Sequence, residues 1–232
     1  RTTWITTADA PRLSPWVVVA PQALVRDHPE LLLAWTEAWL AGIARVRSDV
    51  PAAARAISAI DGAPPVVELM RDLGQIEHVS LLEAAQLSGL SGRPAITLEA
   101  LFSRAWAIDR ALGILSSPAP ERVPLATGPL SILVRRERPT EPVGRSHGSG
   151  STLLARFPID LSDRARLVDE EARLGFLAGL FPRSPIRLVA PRERRVRAGE
   201  LIARVAERYG LDPTRFTVTR GTTSEIAILR AE

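Results

Sequence analysis

Residues 28–49, HPELLLAWTEAWLAGIARVRSD, decide how the first half of the chain is read. Pro29 suits a first helical turn, with Asp27 or His28 before it as N-cap. Glu30 lies at the positive end of the helix dipole, and Arg45 and Arg47 lie at the negative end. Leu31, Leu32, Trp35, Trp39, Ile43 and Val46 recur at three- and four-residue spacing and form one apolar stripe. Fully burying five such side chains is worth roughly 1.5–3 kcal/mol each, on the order of 10 kcal/mol together. Propensity differences stay below about 1 kcal/mol per residue. Burial therefore dominates, and the expectation is a helix lying against a core. The two Trp residues read as core before they read as a ligand pocket.

Upstream, residues 1–15 are rich in Thr and Pro and read as a short strand and a loop. Trp16 to Ala20 (WVVVA) is a continuous β-branched run, long enough for one buried strand. Such a strand needs neighbours, and residues 1–128 offer few. The missing part of its sheet is expected from an absent amino-terminal portion or from a second chain. Downstream the segment is almost wholly helical: PAAARAISAI, VVELMRDLGQI, LLEAAQLSGL behind Ser80, and TLEALFSRAWAIDRALGIL behind Thr97. Residues 116–128 are a Pro-rich connector, and Leu130 to Val134 is a short strand candidate. Residues 135–151 are polar and rich in Pro, Gly and Ser, which marks a linker.

The pattern changes after it. TLLARF, PIRLVA, FTVT and EIAIL read as strands, and Ser162–Phe181 and Arg194–Tyr209 read as helices, the latter ended by Gly210. This βαβαββ order predicts a two-layer sandwich with helices on one face of a small sheet. The expected organisation is a mostly helical module over 1–128, a linker over 129–151 and an α+β domain over 152–232.

The charge follows the same division. Residues 1–128 carry 11 Arg against 13 acids, and residues 129–232 carry 19 Arg against 13 acids. Two modules with different partners are implied. All 30 basic residues are Arg, so a Lys Schiff base is excluded, and without Cys there is no disulfide or thiolate metal site. No apolar run approaches the ~20 residues of a membrane helix. The chain begins without Met or a signal peptide, and so reads as a mature or excised piece.

No constellation converges on catalysis. His28, His78 and His147 share no metal-ligand spacing. Ser146, His147 and Ser149 adjoin in the linker, without a frame or an orienting acid. No Gly-rich loop joins a strand to a helix, so neither a nucleotide nor any other cofactor is implied. Asp169, Glu170 and Glu171 read as a solvated helix start. The sharpest feature is PRERRVR, residues 191–197, where Arg192, Arg194, Arg195 and Arg197 gather near a helix N-terminus. It reads as a solvated face, or else as a contact for carboxylates or an envelope polymer. No aromatic residue interleaves, which argues against nucleic acid.

Two resemblances rest on these residues. TTADAPRLSPWVVVAPQALVRDHPELLLAWTEAWLAGIARV, followed by Ala-rich helices and LFSRAWAIDRALGIL, resembles the last third of type II periplasmic substrate-binding proteins of ABC transporters, in the nitrate/sulfonate/taurine-like branch. The resemblance implies a partial, mostly helical lobe with few strands. It also implies a small anionic or organic solute between lobes, with Thr6, Thr7 and Asp9 as contacts. Residues 152–232 resemble the OmpA-like peptidoglycan-associated domain, through Arg197-Ala198, Leu201, Val205 and Gly210-Leu211-Asp212-Pro213-Thr214-Arg215. In that family an Asp on the loop before this helix and the Arg of the helix clamp diaminopimelate. Arg197 carries that position here, with Arg194 and Arg195 beside it, while PRERRV holds no Asp.

The expectation is a non-catalytic protein of the bacterial periplasm or cell envelope, a solute-binding-like module joined to a degenerate OmpA-like docking domain. The alternative is a structural interaction subunit that binds neither solute nor peptidoglycan.

Overall fold

Each strand expected after residue 152 forms, because each is short, rich in apolar or β-branched residues and bounded by Pro, Gly or polar turn residues. The structure, a computed structural model, describes residues 9–13, 15, 17–137, 152–163 and 165–230. In chain order its elements are α1 (Gln22–Asp27), α2 (Pro29–Ser48), α3 (Val50–Ser58), α4 (Val66–Gln75), α5 (Leu81–Leu87), α6 (Leu98–Ala111), α7 (Gly128–Glu137), β1 (Leu153–Pro158), α8 (Leu167–Leu180), β2 (Ile186–Ala190), α9 (Arg195–Tyr209), β3 (Phe216–Arg220) and β4 (Glu225–Leu229). The protein is therefore mixed α and β, largely helical, with one small mixed sheet. The chain divides into two compact units, Arg1–Pro15 with Gly92–Thr97 and Pro142–Glu232, and Trp16–Ser91 with Leu98–Glu141.

In the first of these units the strands lie in the order β1-β4-β2-β3. β4 is antiparallel to β1 and β2, whereas β2 and β3 are parallel. β1, β2 and β3 thus point one way, and their C-terminal ends share one end of the sheet. Ile186 and Leu188 of β2 stand opposite Ile228 and Ile226 of β4, and all four are fully buried. Leu174 and Leu177 of α8 and Ala198, Leu201 and Val205 of α9 are buried with them. Each large side chain so placed contributes roughly 1.5–3 kcal/mol. The two helices are also linked by charge: Glu171 of α8, 8% exposed, accepts from Arg208 Nη1 at 2.9 Å and lies 3.6 Å from Arg204 Nε. Gly210 ends α9 at φ 60°, the left-handed conformation that glycine takes without a Cβ clash.

Segments remote in sequence complete this unit. Ile96 is 2% exposed and packs against Gly179 of α8. Asp9 pairs with Arg230, just after β4.

The other unit is helical among the described residues. Packing joins α3 to α4, α2 to α3 and α7, and α5 to α7. Its local signals are well formed. Ser80 and Glu83 make a reciprocal capping box, and Asp49 accepts from Ala52 N at 2.9 Å ahead of α3.

Several expectations need correction. α2 occupies the expected residues, but none of them is buried, and Leu31, Trp35 and Trp39 are 55%, 43% and 52% exposed. The stripe is real as a pattern and is not a core. Val17, Val18 and Val19 form no strand and are 60%, 64% and 89% exposed; Trp16 lies outside the described residues. The described part of this unit contains no sheet edge, and β-branched residues have no extended partner to pair with. Leu130–Val134 is helical, inside α7, because Leu133 is fully buried where α7 packs on α2 and α5. Residues 129–137 are therefore α7, not linker, and residues 138–151 lie outside the described residues. α8 begins at Leu167, with Ser162 in the loop ahead of it.

Candidate functional site

The C-terminal ends of β1, β2 and β3 converge where the PRERRVR run enters α9. The run itself bends: Arg192–Arg194 make one 3-10 turn behind Pro191, and Arg195 begins the α-helix. That bend sends its arginines in different directions.

Arg197, in the first turn of α9, donates through Nη1 to Leu161 O at 3.0 Å and Ser162 O at 2.6 Å. It holds the loop that follows β1. That loop carries Asp160. Ser162 donates to Asp160 Oδ1 through both its backbone N–H, at 2.9 Å, and its hydroxyl. Arg166 Nη1 lies 3.2 Å from Asp160 Oδ2. Asp160 N in turn donates to Glu170 Oε1 at 3.0 Å. The two Ser162 hydrogen bonds hold the Asp160 carboxyl below the usual carboxylate range; burial opposes them, and the charges of Arg166 and then Arg194 add smaller contributions in the same direction as the hydrogen bonds. Asp160 is ionised at neutral pH, is one-third exposed, and lies in the field of Arg194.

Arg192 and Arg195 are different again. Both are exposed, and among the described residues neither makes an ion pair or hydrogen bond. With Val196 and Val218 they line a shallow depression between the start of α9 and β3.

The expected trio of Arg194, Arg195 and Arg197 is thus divided into a residue whose charge reaches Asp160 without an ion pair, a residue on the depression and a residue that fixes a loop. Asp160 was missed. Its signal was present as Asp160-Leu161-Ser162, an Asp whose side chain turns back onto the second residue after it. A search for an acid in the sequence just before α9 could not find one that arrives from the end of β1.

Of the expected solute contacts, Thr6 and Thr7 lie outside the described residues. Asp9 is described, and both its carboxylate oxygens face Arg230, at 3.0 and 3.1 Å. Of the acids at the start of α8, Asp169 is exposed as expected, whereas Glu170 is half-buried and accepts from Asp160 N and Glu171 is buried against Arg204 and Arg208. His78 Nε2 lies 3.0 Å from Leu73 O and His28 Nδ1 lies 3.5 Å from Glu30, while His147 is outside the described residues. Among the described residues no cluster of His, Asp and Glu could hold a metal, and no helix is long and apolar enough to cross a membrane.

A carboxylate and a separate guanidinium at the same end of a sheet can together hold a zwitterion, the carboxylate taking an ammonium and the guanidinium a carboxylate. No protein-family model, curated protein or solved structure matches this chain.

Proposed function

We propose that this chain is a non-catalytic protein of the bacterial cell envelope whose sheet-containing unit docks on the cell wall. Asp160 and Arg194 take the ammonium and carboxylate of a diaminopimelate-like amino acid, and Arg197 keeps the Asp160 loop in place. The observation that supports this reading is the ionised Asp160 on the loop that Arg197 holds through Leu161 O and Ser162 O, with the more distant charge of Arg194 adding to that of Arg166 in favouring the carboxylate. It supplies the acid that an OmpA-like clamp needs and that PRERRV lacks. The helical unit is then the last part of a solute-binding-like lobe.

Retention on purified peptidoglycan sacculi tests the reading. Asp160→Asn and Arg194→Gln should each lower retention about tenfold or more, since each leaves one charge of the ligand unpaired. Unchanged retention of both variants overturns it.

A second reading has its own observation. Leu31, Trp35 and Trp39 expose an apolar stripe, with the two indoles stacked at 5.5 Å, as an interaction subunit would. That reading predicts co-purification with a second chain, and no thermal shift with amino acids, small anions or soluble muropeptides.

A further inference from the structure

β3 is an edge strand. It pairs with β2 on one side, and among the described residues no strand pairs with its other side. An open edge is a row of unused N–H and C=O groups, a template for one more extended chain. Along this edge Val218 meets the first turn of α9, and the depression between them is lined by Val218, Val196, Arg192 and Arg195. Val196 is 72% exposed, so the floor offers apolar surface. Arg220 follows on β3, on the same face as Val218 by the strand's alternation, and is exposed. Glu193 lies between Arg192 and Arg195 in sequence and pairs with neither.

We propose that this edge and depression form a docking groove for an extended, acidic peptide segment of a partner protein. The peptide adds as a fifth strand beside β3. Its alternate apolar side chains rest on Val196 and Val218, and its carboxylates meet Arg192, Arg195 and Arg220. Charge complementarity selects the occupant, because a neutral or basic strand would leave three guanidiniums uncompensated at the groove. Backbone pairing makes it a peptide and not simply a polyanion. The inference does not rest on the cell-wall reading: peptide binding and sacculus retention are read separately, and either can fail alone.

The test titrates the full chain with a fluorescein-labelled peptide of about ten residues, alternating glutamate and valine. The expected result is saturable binding that weakens as salt rises. Binding should fall about tenfold or more for the folded Arg192→Glu/Arg195→Glu protein. It should fall as far for a peptide N-methylated at alternate residues, which cannot pair along a strand edge. Backbone amide shifts should concentrate in β3 and the first turn of α9. Absence of binding by the unmodified peptide overturns the proposal. So does equal binding of the N-methylated peptide, or indifference to the double charge reversal. Tighter binding of a single-stranded oligonucleotide than of the peptide also overturns it, and marks the surface as a polyanion site.

Discussion

Asp9 and Arg230 stand 221 residues apart and meet at two points, Nε to Oδ1 at 3.0 Å and Nη2 to Oδ2 at 3.1 Å. The Asp9 side chain is 9% exposed and that of Arg230 is 42%. The Arg230 backbone N–H also donates to Thr152 O at 2.8 Å, so the pair ties an early segment to the end of β4 beside β1. Exposed ion pairs are worth about 0–1 kcal/mol, and breaking a buried one costs about 3–5 kcal/mol. A half-buried, two-point pair falls between. Asp9→Asn should therefore cost about 1–2 kcal/mol in urea unfolding. A change near zero would show that the early segment does not brace the sheet.

Arg215 is 4% exposed, and its Nη2 donates to the carbonyls of Ala178, Phe181 and Ser184 at the end of α8. Burial first, then the charge of Arg12, pushes its pKa down to about 10, with Asp212 opposing. A cation whose folded pKa lies below its unfolded one weighs against folding at neutral pH, and stability rises as pH climbs through about 10. Arg12→Gln should thus stabilise by about 0.3–0.5 kcal/mol. Arg215→Met should still destabilise, by about 2–4 kcal/mol, because it removes a buried donor shared by three carbonyls, of which that of Phe181 keeps the Ser184 N–H. Thermal melts of both variants check the opposite signs.

Trp35 and Trp39 stack with their rings 11° from parallel and remain 43% and 52% exposed. Their loss removes a stacked pair and some helix surface, not a core. Trp35→Ala should cost about 0.5–1.5 kcal/mol, against about 3–5 kcal/mol for a buried Trp. A core-sized loss in denaturant titration would place these rings against protein in solution.

Asp160 titrates below the usual carboxylate range because Ser162 and two arginines favour its charged form. That stabilisation is complete above the ordinary carboxyl pKa and is lost as pH falls through the lowered value. Asp160→Asn removes it. The variant's melting temperature should decline less between pH 6 and pH 3 than that of the natural protein, in the region about pH 4 and below. Parallel acid limbs would exclude Asp160 as a charged group of the fold.

The sheet-containing unit was largely legible. β2 carries a period-two alternation and β4 a continuous apolar run, each within five residues, and Gly210 announces the end of α9 wherever that helix packs. The helical unit was legible in its elements and misleading in its packing. The stripe of α2 and the run Val17–Val19 are strongly apolar, yet burial requires a neighbour, and a helix pattern does not say whether one is there. Leu130–Val134 is as β-prone as a strand, and α2 and α5 hold it as a helix through Leu133.

The amino-acid order alone determined the all-Arg basic charge and its bias to the second half, and the placement of the four strands after residue 152 and of the main helices. These follow from local sterics and from side-chain periodicity, which act over a few residues. Tertiary structure decided which apolar faces are covered, where the arginines of residues 192–197 point, and that Arg197 comes to the Asp160 loop while Asp9 goes to Arg230. Those pairings join residues far apart in the chain, and only the closing of the sheet brings them within reach of each other's charge.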